Sequence, residues 1–182
     1  MKAYRFFIGL CAASFFASTS IAHDLTYMDE VVNPAKLQGS GKLTWWGLHI
    51  YDASFYRGAN MASSEFALDL RYQKSFSGTS IANRTMEEMK KIGISEVQAA
   101  NWGKQLATFL PNVESGHTLT AVYIPKQGTL FYHDGKQIAQ IPGLDFSKAF
   151  FGIWLDPKTS APKLRTELLG QNCPPPPFNE SC

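Results

Sequence analysis

Four histidines, His23, His49, His117 and His133, are the side chains best suited to proton transfer or metal binding, and they lie far apart in the chain. A metal site legible in sequence brings its ligands at short, fixed spacings, and none of these four is so placed. His23 is a separate case. Removal of a leader after Ala22 would make it the first residue, where its amine and imidazole could chelate copper together with a second histidine that the sequence does not identify; an exposed, frayed terminus is the plainer reading. Neither a Gly-x-Ser-x-Gly elbow nor a phosphate-cradling glycine loop occurs. Beyond the leader the cysteines are Cys173 and Cys182, both near the end, so the body of the domain offers no thiol nucleophile. Glu87 and Glu88 are neighbouring carboxylates, but adjacent helical residues do not face each other. With Lys90 and Lys91 they read as a solvated face. Trp45, Trp46, Trp102 and Trp154 read as core or pocket wall. No cofactor is expected from these groups.

The elements that would position such residues follow from periodicity. Residues 41–57 are rich in aromatic and β-branched types, lack proline and are bulky on both alternating faces, which predicts one long strand covered on both sides, with the sheet organised around it. Residues 65–74 alternate as a half-buried strand. Ser77 to Ser80 break the chain and offer a helix cap, after which Ile81, Thr85, Met89 and Ile92 recur at helical spacing and Gly93 stops them. Ser95 with Gln98 forms a capping-box pattern opening a second helix that runs to Pro111. Three strands follow at 117–124, 129–133 and 136–141, the last two joined by Asp134-Gly135. Asp145 is expected to cap a short helix, and a further helix runs over 161–169 with Gly170 as its stop. Strands, helices, strands, helices is the order of an α+β fold, an antiparallel sheet under one layer of helices.

Composition bounds the function. The 182 residues are 45% hydrophobic and 18% charged, enough for one globular domain. A basic start, an apolar run over 6–16 and Ser20-x-Ala22 predict a signal peptide over 1–22 and a periplasmic or secreted protein. That run is too short for a stable membrane span. Without the leader the acidic and basic residues balance, which disfavours nucleic acid as a partner. The Pro-rich tail over 171–182 holds Cys173 and Cys182, which either pair in the oxidising compartment or stay apart, since four intervening prolines could favour either arrangement.

Leu43-Thr-Trp-Trp-Gly-Leu-His-Ile-Tyr-Asp-Ala-Ser-Phe, Leu68-x-Leu-x-Tyr72, Phe109-Leu-Pro-Asn-Val113 and Phe150-Phe-Gly-Ile-Trp-Leu-Asp-Pro-Lys-Thr, continued by Leu164-Arg-x-x-Leu-Leu-Gly170, resemble the chalcone isomerase-like family, most closely a secreted bacterial branch. The resemblance covers residues 23–170. It implies an open-faced β-sandwich in which a large antiparallel sheet and a helical layer enclose an apolar cleft, here between residues 41–57 and the first helical hairpin. In the plant enzymes a phenolate adds to an enone without a cofactor, aided by an Arg, a Thr, a Tyr, an Asn and a second Thr or Ser. The resemblance puts those positions at Thr44, Ile81 and Glu88, near Ile153 for the second hydroxyl and near Val32 for the Arg, so only Thr44 retains its type.

A further branch of the family resembles non-catalytic fatty-acid binders that hold a carboxylate with Arg and Tyr. Arg84, or Arg71 with Tyr72, could supply that pair. The alternatives are that Arg84 merely covers the sheet and that Arg71 points to solvent. Three functions remain open at this level: an exported, non-catalytic binder of a small hydrophobic, fatty-acid-like ligand; a cofactor-independent isomerase or intramolecular lyase of unknown substrate; and a periplasmic scaffold. A deep cleft with a buried Arg would favour the first, a polar cluster around Thr44 the second and a filled cleft the third.

Overall fold

The computed structural model describes residues 26–58 and 64–178. Six strands, β1 (Ala35–Trp45), β2 (Leu48–Gly58), β3 (Phe66–Tyr72), β4 (Thr118–Ile124), β5 (Gly128–His133) and β6 (Lys136–Ile141), form one antiparallel sheet in sequential order. The helices α2 (Gly78–Lys91) and α3 (Glu96–Ala107) cross from β3 to β4, and α4 (Leu144–Leu155) and α5 (Pro162–Leu169) follow β6. The α+β architecture expected from the order of elements is the one found.

Residues 41–57 are not one strand. Trp46 and Gly47 have φ of 51° and 76°, and Trp45 pairs directly with Leu48, so the chain reverses in a two-residue turn. Two consecutive left-handed residues suit the right-handed twist of the flanking strands. Bulky residues continue through this turn and mask it, leaving Gly47 as its one sequence signal. The consequence is a different centre for the sheet. β1 is an edge strand, and β3 and β4 occupy the middle.

In β3 every residue from Phe66 to Leu70 is buried, and only Arg71 is partly exposed. The half-buried strand expected there is covered on its second face by α1 (Thr26–Asp29) and the turn after it. Met28 and Val32 pack on Ala67, Val122, Leu130 and Tyr132 in this outer layer. A four-residue helix has too little periodicity to be read from sequence. The inner face carries the main core, built from Phe55, Phe66, Leu68, Met89, Leu106, Phe146, Phe151 and Leu168 among others.

Local chemistry sets the helix starts. Ser77 accepts from the Ser80 amide at 3.1 Å, and Ser95 accepts from the Gln98 amide at 3.3 Å, as the capping patterns predicted. Asp145 is not the cap of α4. Gly143, at φ 101°, takes that position, and the Ser147 hydroxyl donates to the Gly143 carbonyl at 3.0 Å while also meeting Thr129 Oγ1 at 2.9 Å. Asp145 lies in the first turn, where its charge complements the helix dipole. α5 lies directly on β1, because a Cβ at Gly39 would collide with the Glu167 and Leu168 carbonyls.

The segment after Gly170 packs on the domain. Phe178 is buried with its ring centroid 6.1 Å from that of Phe66, and Cys173 is disulfide-bonded. Cys182 and the leader, with His23, lie outside the described residues. Among the described residues no helix is long and apolar enough to cross a membrane.

Candidate functional site

Between the inner face of the sheet and the helices lies a cavity of about 400 Å³. Its floor is Leu68, Leu70, Leu119 and Ala121 from β3 and β4; Ile81 and Thr85 of α2 form one wall, and Phe150, Ile153 and Trp154 of α4 another. The mouth is bordered by Leu43, Thr44 and Trp45 beside the β1–β2 turn. The cleft was expected between residues 41–57 and the first helical hairpin. In the structure α2 provides that side and α4 closes the other, with Trp154 serving as pocket wall.

Thr44, Tyr72 and Arg84, three candidates drawn from separate stretches, all line this cavity. Tyr72 is buried on β3 opposite Tyr51 of β2, with ring centroids 5.8 Å apart. Neighbouring residues on a strand alternate faces, which puts Arg71 on the outer face, away from the cavity. Thr44 is exposed on the edge strand, and its hydroxyl makes no hydrogen bond to the described residues. Among the described residues no polar cluster forms around it.

The polar end of the cavity joins Trp154, read from sequence as core or pocket wall, to Tyr51, which sequence patterns did not single out. The Trp154 indole Nε1 donates to the Tyr51 hydroxyl oxygen at 3.0 Å. The Tyr51 O–H therefore keeps its own proton for another acceptor, and none is present among the described residues. Tyr72 likewise has no hydroxyl partner there. Burial raises the pKa of both phenols. They stay protonated, as donors, across the physiological range.

Glu88 is the buried charge of the site, at 6% exposure. It was expected on a solvated face, but the Arg84 Nη2 lies 2.6 Å and the Lys91 Nζ 2.9 Å from its Oε1, and the Ser160 hydroxyl donates to its Oε2. Burial works against the charged form, but the bonds from Ser160 and Lys91 and the nearby Arg84 outweigh it, and its pKa is lowered. Arg84 is half exposed, with its guanidinium 5.7 Å from the Trp45 ring centroid. It is not the deeply buried arginine that would by itself mark an anion site. It borders the cavity as a cation shared between Glu88 and the Trp45 ring face.

The family model described as chalcone isomerase-like matches residues 23–170. The chain belongs to the chalcone isomerase-like family. An uncharacterized protein of Haemophilus influenzae is 23% identical over 136 residues, spanning 73% of this chain and 67% of that one. Among solved structures, a fatty-acid binding protein of Arabidopsis thaliana is similar with a TM-score of 0.58 at 12% identity, covering 75% of this chain and 87% of that chain. At that identity the likeness is one of fold. Within this chalcone isomerase-like fold, Ile81, Glu88 and Ile153 line the cavity, whereas Val32 lies in the outer layer on the opposite face of the sheet. The positions that the resemblance assigned to the plant tyrosine, asparagine and second hydroxyl thus face the cavity as two isoleucines and an ion-paired glutamate.

Proposed function

We propose that the protein is a non-catalytic binder of a small hydrophobic molecule bearing an oxygen-rich end, of the fatty-acid type. The observation that carries this reading is a cavity of about 400 Å³ with an apolar floor, and with two phenolic O–H donors at one end that have no acceptor among the described residues. Its size falls in the range usual for small-molecule sites. A chain seated on Leu68, Leu70 and Ala121 contributes about 0.8 kcal/mol per buried methylene. The ligand oxygens then meet Tyr51, Tyr72 and the edge of Arg84. A fatty-acid binding structure with the same fold supports the ligand class. The absence of a polar cluster at Thr44 counts against plant-type cyclisation, which relies on donors at the developing oxyanion.

Export belongs to the same proposal: a leader removed after Ala22, a mature chain beginning at His23 in the periplasm or outside the cell, a place in a secreted bacterial branch of the family, and Cys173 paired with Cys182. The test is native mass spectrometry of protein purified from its own host, followed by titration of the delipidated protein with dodecanoic acid. The expected result is a bound species of a few hundred daltons and one saturable site, lost in Ala121→Phe, which fills the cavity floor. Saturable binding that Ala121→Phe leaves intact, or no binding by either protein, would refute the reading. Intact mass also reports the first residue and the disulfide.

A further inference from the structure

The histidines that lie scattered in sequence meet in part. The β4–β5 register sets Leu119 opposite His133, and His117 lies two residues before Leu119 on the same face. Such diagonal cross-strand neighbours are within reach of ring side chains, and here the two imidazole centroids are 5.3 Å apart. Asp134 follows as the first residue of the β5–β6 turn, at φ 48°. Its Oδ1 accepts from the Thr118 amide at 2.7 Å and the Thr118 hydroxyl at 3.3 Å, which fixes the carboxylate. Its Oδ2 is left facing the rings, 3.3 Å from His133 Nε2 and 4.0 Å from His117 Nδ1.

Those two ring nitrogens are buried and have no hydrogen-bond partner among the described residues. Leaving a buried polar atom unmatched costs free energy, and two of them converging on one carboxylate oxygen call for a shared partner. We propose that His117, His133 and Asp134 form a binding site for a divalent transition-metal ion. The three ligand atoms lie within 4.8 Å of one another. With metal–ligand bonds of about 2.0–2.2 Å, ring rotation and a small contraction bring all three onto one ion. Two imidazoles and a carboxylate suit zinc, copper or nickel, whereas calcium and magnesium take oxygen sets. Asp134 is about half exposed, so the remaining coordination positions open to water. Thr118 orients the carboxylate, as outer partners commonly do for a metal's ligands.

The experiment is isothermal titration of ZnCl₂ into the chelator-stripped mature protein without a histidine tag, compared with His117→Asn, His133→Gln and Asp134→Asn. Asparagine tolerates the left-handed turn and retains the Oδ1 acceptor for Thr118, so Asp134→Asn removes the metal ligand without the turn. Circular dichroism checks the fold of each variant. The expected result is one zinc per chain, at least tenfold weaker in each of these three folded variants, with a zinc-dependent rise in melting temperature that the unsubstituted protein shows and these three do not. His23→Ala should bind as the unsubstituted protein does. No zinc binding, binding unchanged in Asp134→Asn, or binding lost in His23→Ala but kept in the other three would overturn the proposal.

Discussion

Replacing Arg84 by methionine separates charge from apolar contact at the cavity mouth. Two unit charges about 4 Å apart interact by about 4 kcal/mol at an effective dielectric of 20 and about 1 kcal/mol in bulk water. The Arg84 side chain is 53% exposed and already paired with Glu88, which places it near the lower figure. Arg84→Met should therefore weaken dodecanoic acid by about 1 kcal/mol, roughly fivefold in Kd, and leave dodecanol nearly unchanged. Glu88→Gln should act in the opposite direction on the acid, because it removes a competing anion from the same guanidinium. Arg71→Met, on the outer face of β3, should change neither ligand. The assay is calorimetric titration of both ligands against each variant at one ionic strength, since screening scales with exposure. Equal losses for acid and alcohol in Arg84→Met, or a loss in Arg71→Met matching it, would refute the role given to Arg84.

The Glu88 pKa is lowered in the fold from the ordinary 4.5, so its stabilising effect is fully present above that value and is lost as pH falls through the lowered one; urea unfolding across this range should give a flatter stability curve for Glu88→Gln. Gly39→Ala should lower stability by about 2 kcal/mol, the usual scale of overpacking, because α5 must lift from β1; a denaturation midpoint unchanged from the unsubstituted protein would show that α5 is not seated there. Purified protein should not cyclise a chalcone measurably above the spontaneous rate in an absorbance assay, given Ile81, Glu88 and Ile153 at the cavity; faster cyclisation abolished by Thr44→Val would overturn that.

Much of this molecule is legible from local pattern. Period-two runs marked β3 to β6, the helical stripes and serine caps marked α2 and α3, Asp134-Gly135 marked the last hairpin, and the closing motif pointed to the chalcone isomerase-like family that the match over residues 23–170 shows. These features are written in neighbouring residues, because capping, turn chemistry and face alternation act over a few positions. What sequence could not carry is whatever depends on distant segments meeting. The Trp46-Gly47 turn is hidden by aromatic residues that are bulky on either side of it, and α1 earns its place only by covering β3. Glu88 looks like one more acid on a charged helix until Ser160, 72 positions away, donates to it. Tyr51 and Trp154 are separated by 103 positions, yet a hydrogen bond of 3.0 Å joins them at the cavity. His117 and His133 become neighbours only through the β4–β5 register. Burial and pairing of polar groups are properties of packing, and packing is decided by the whole chain closing on itself.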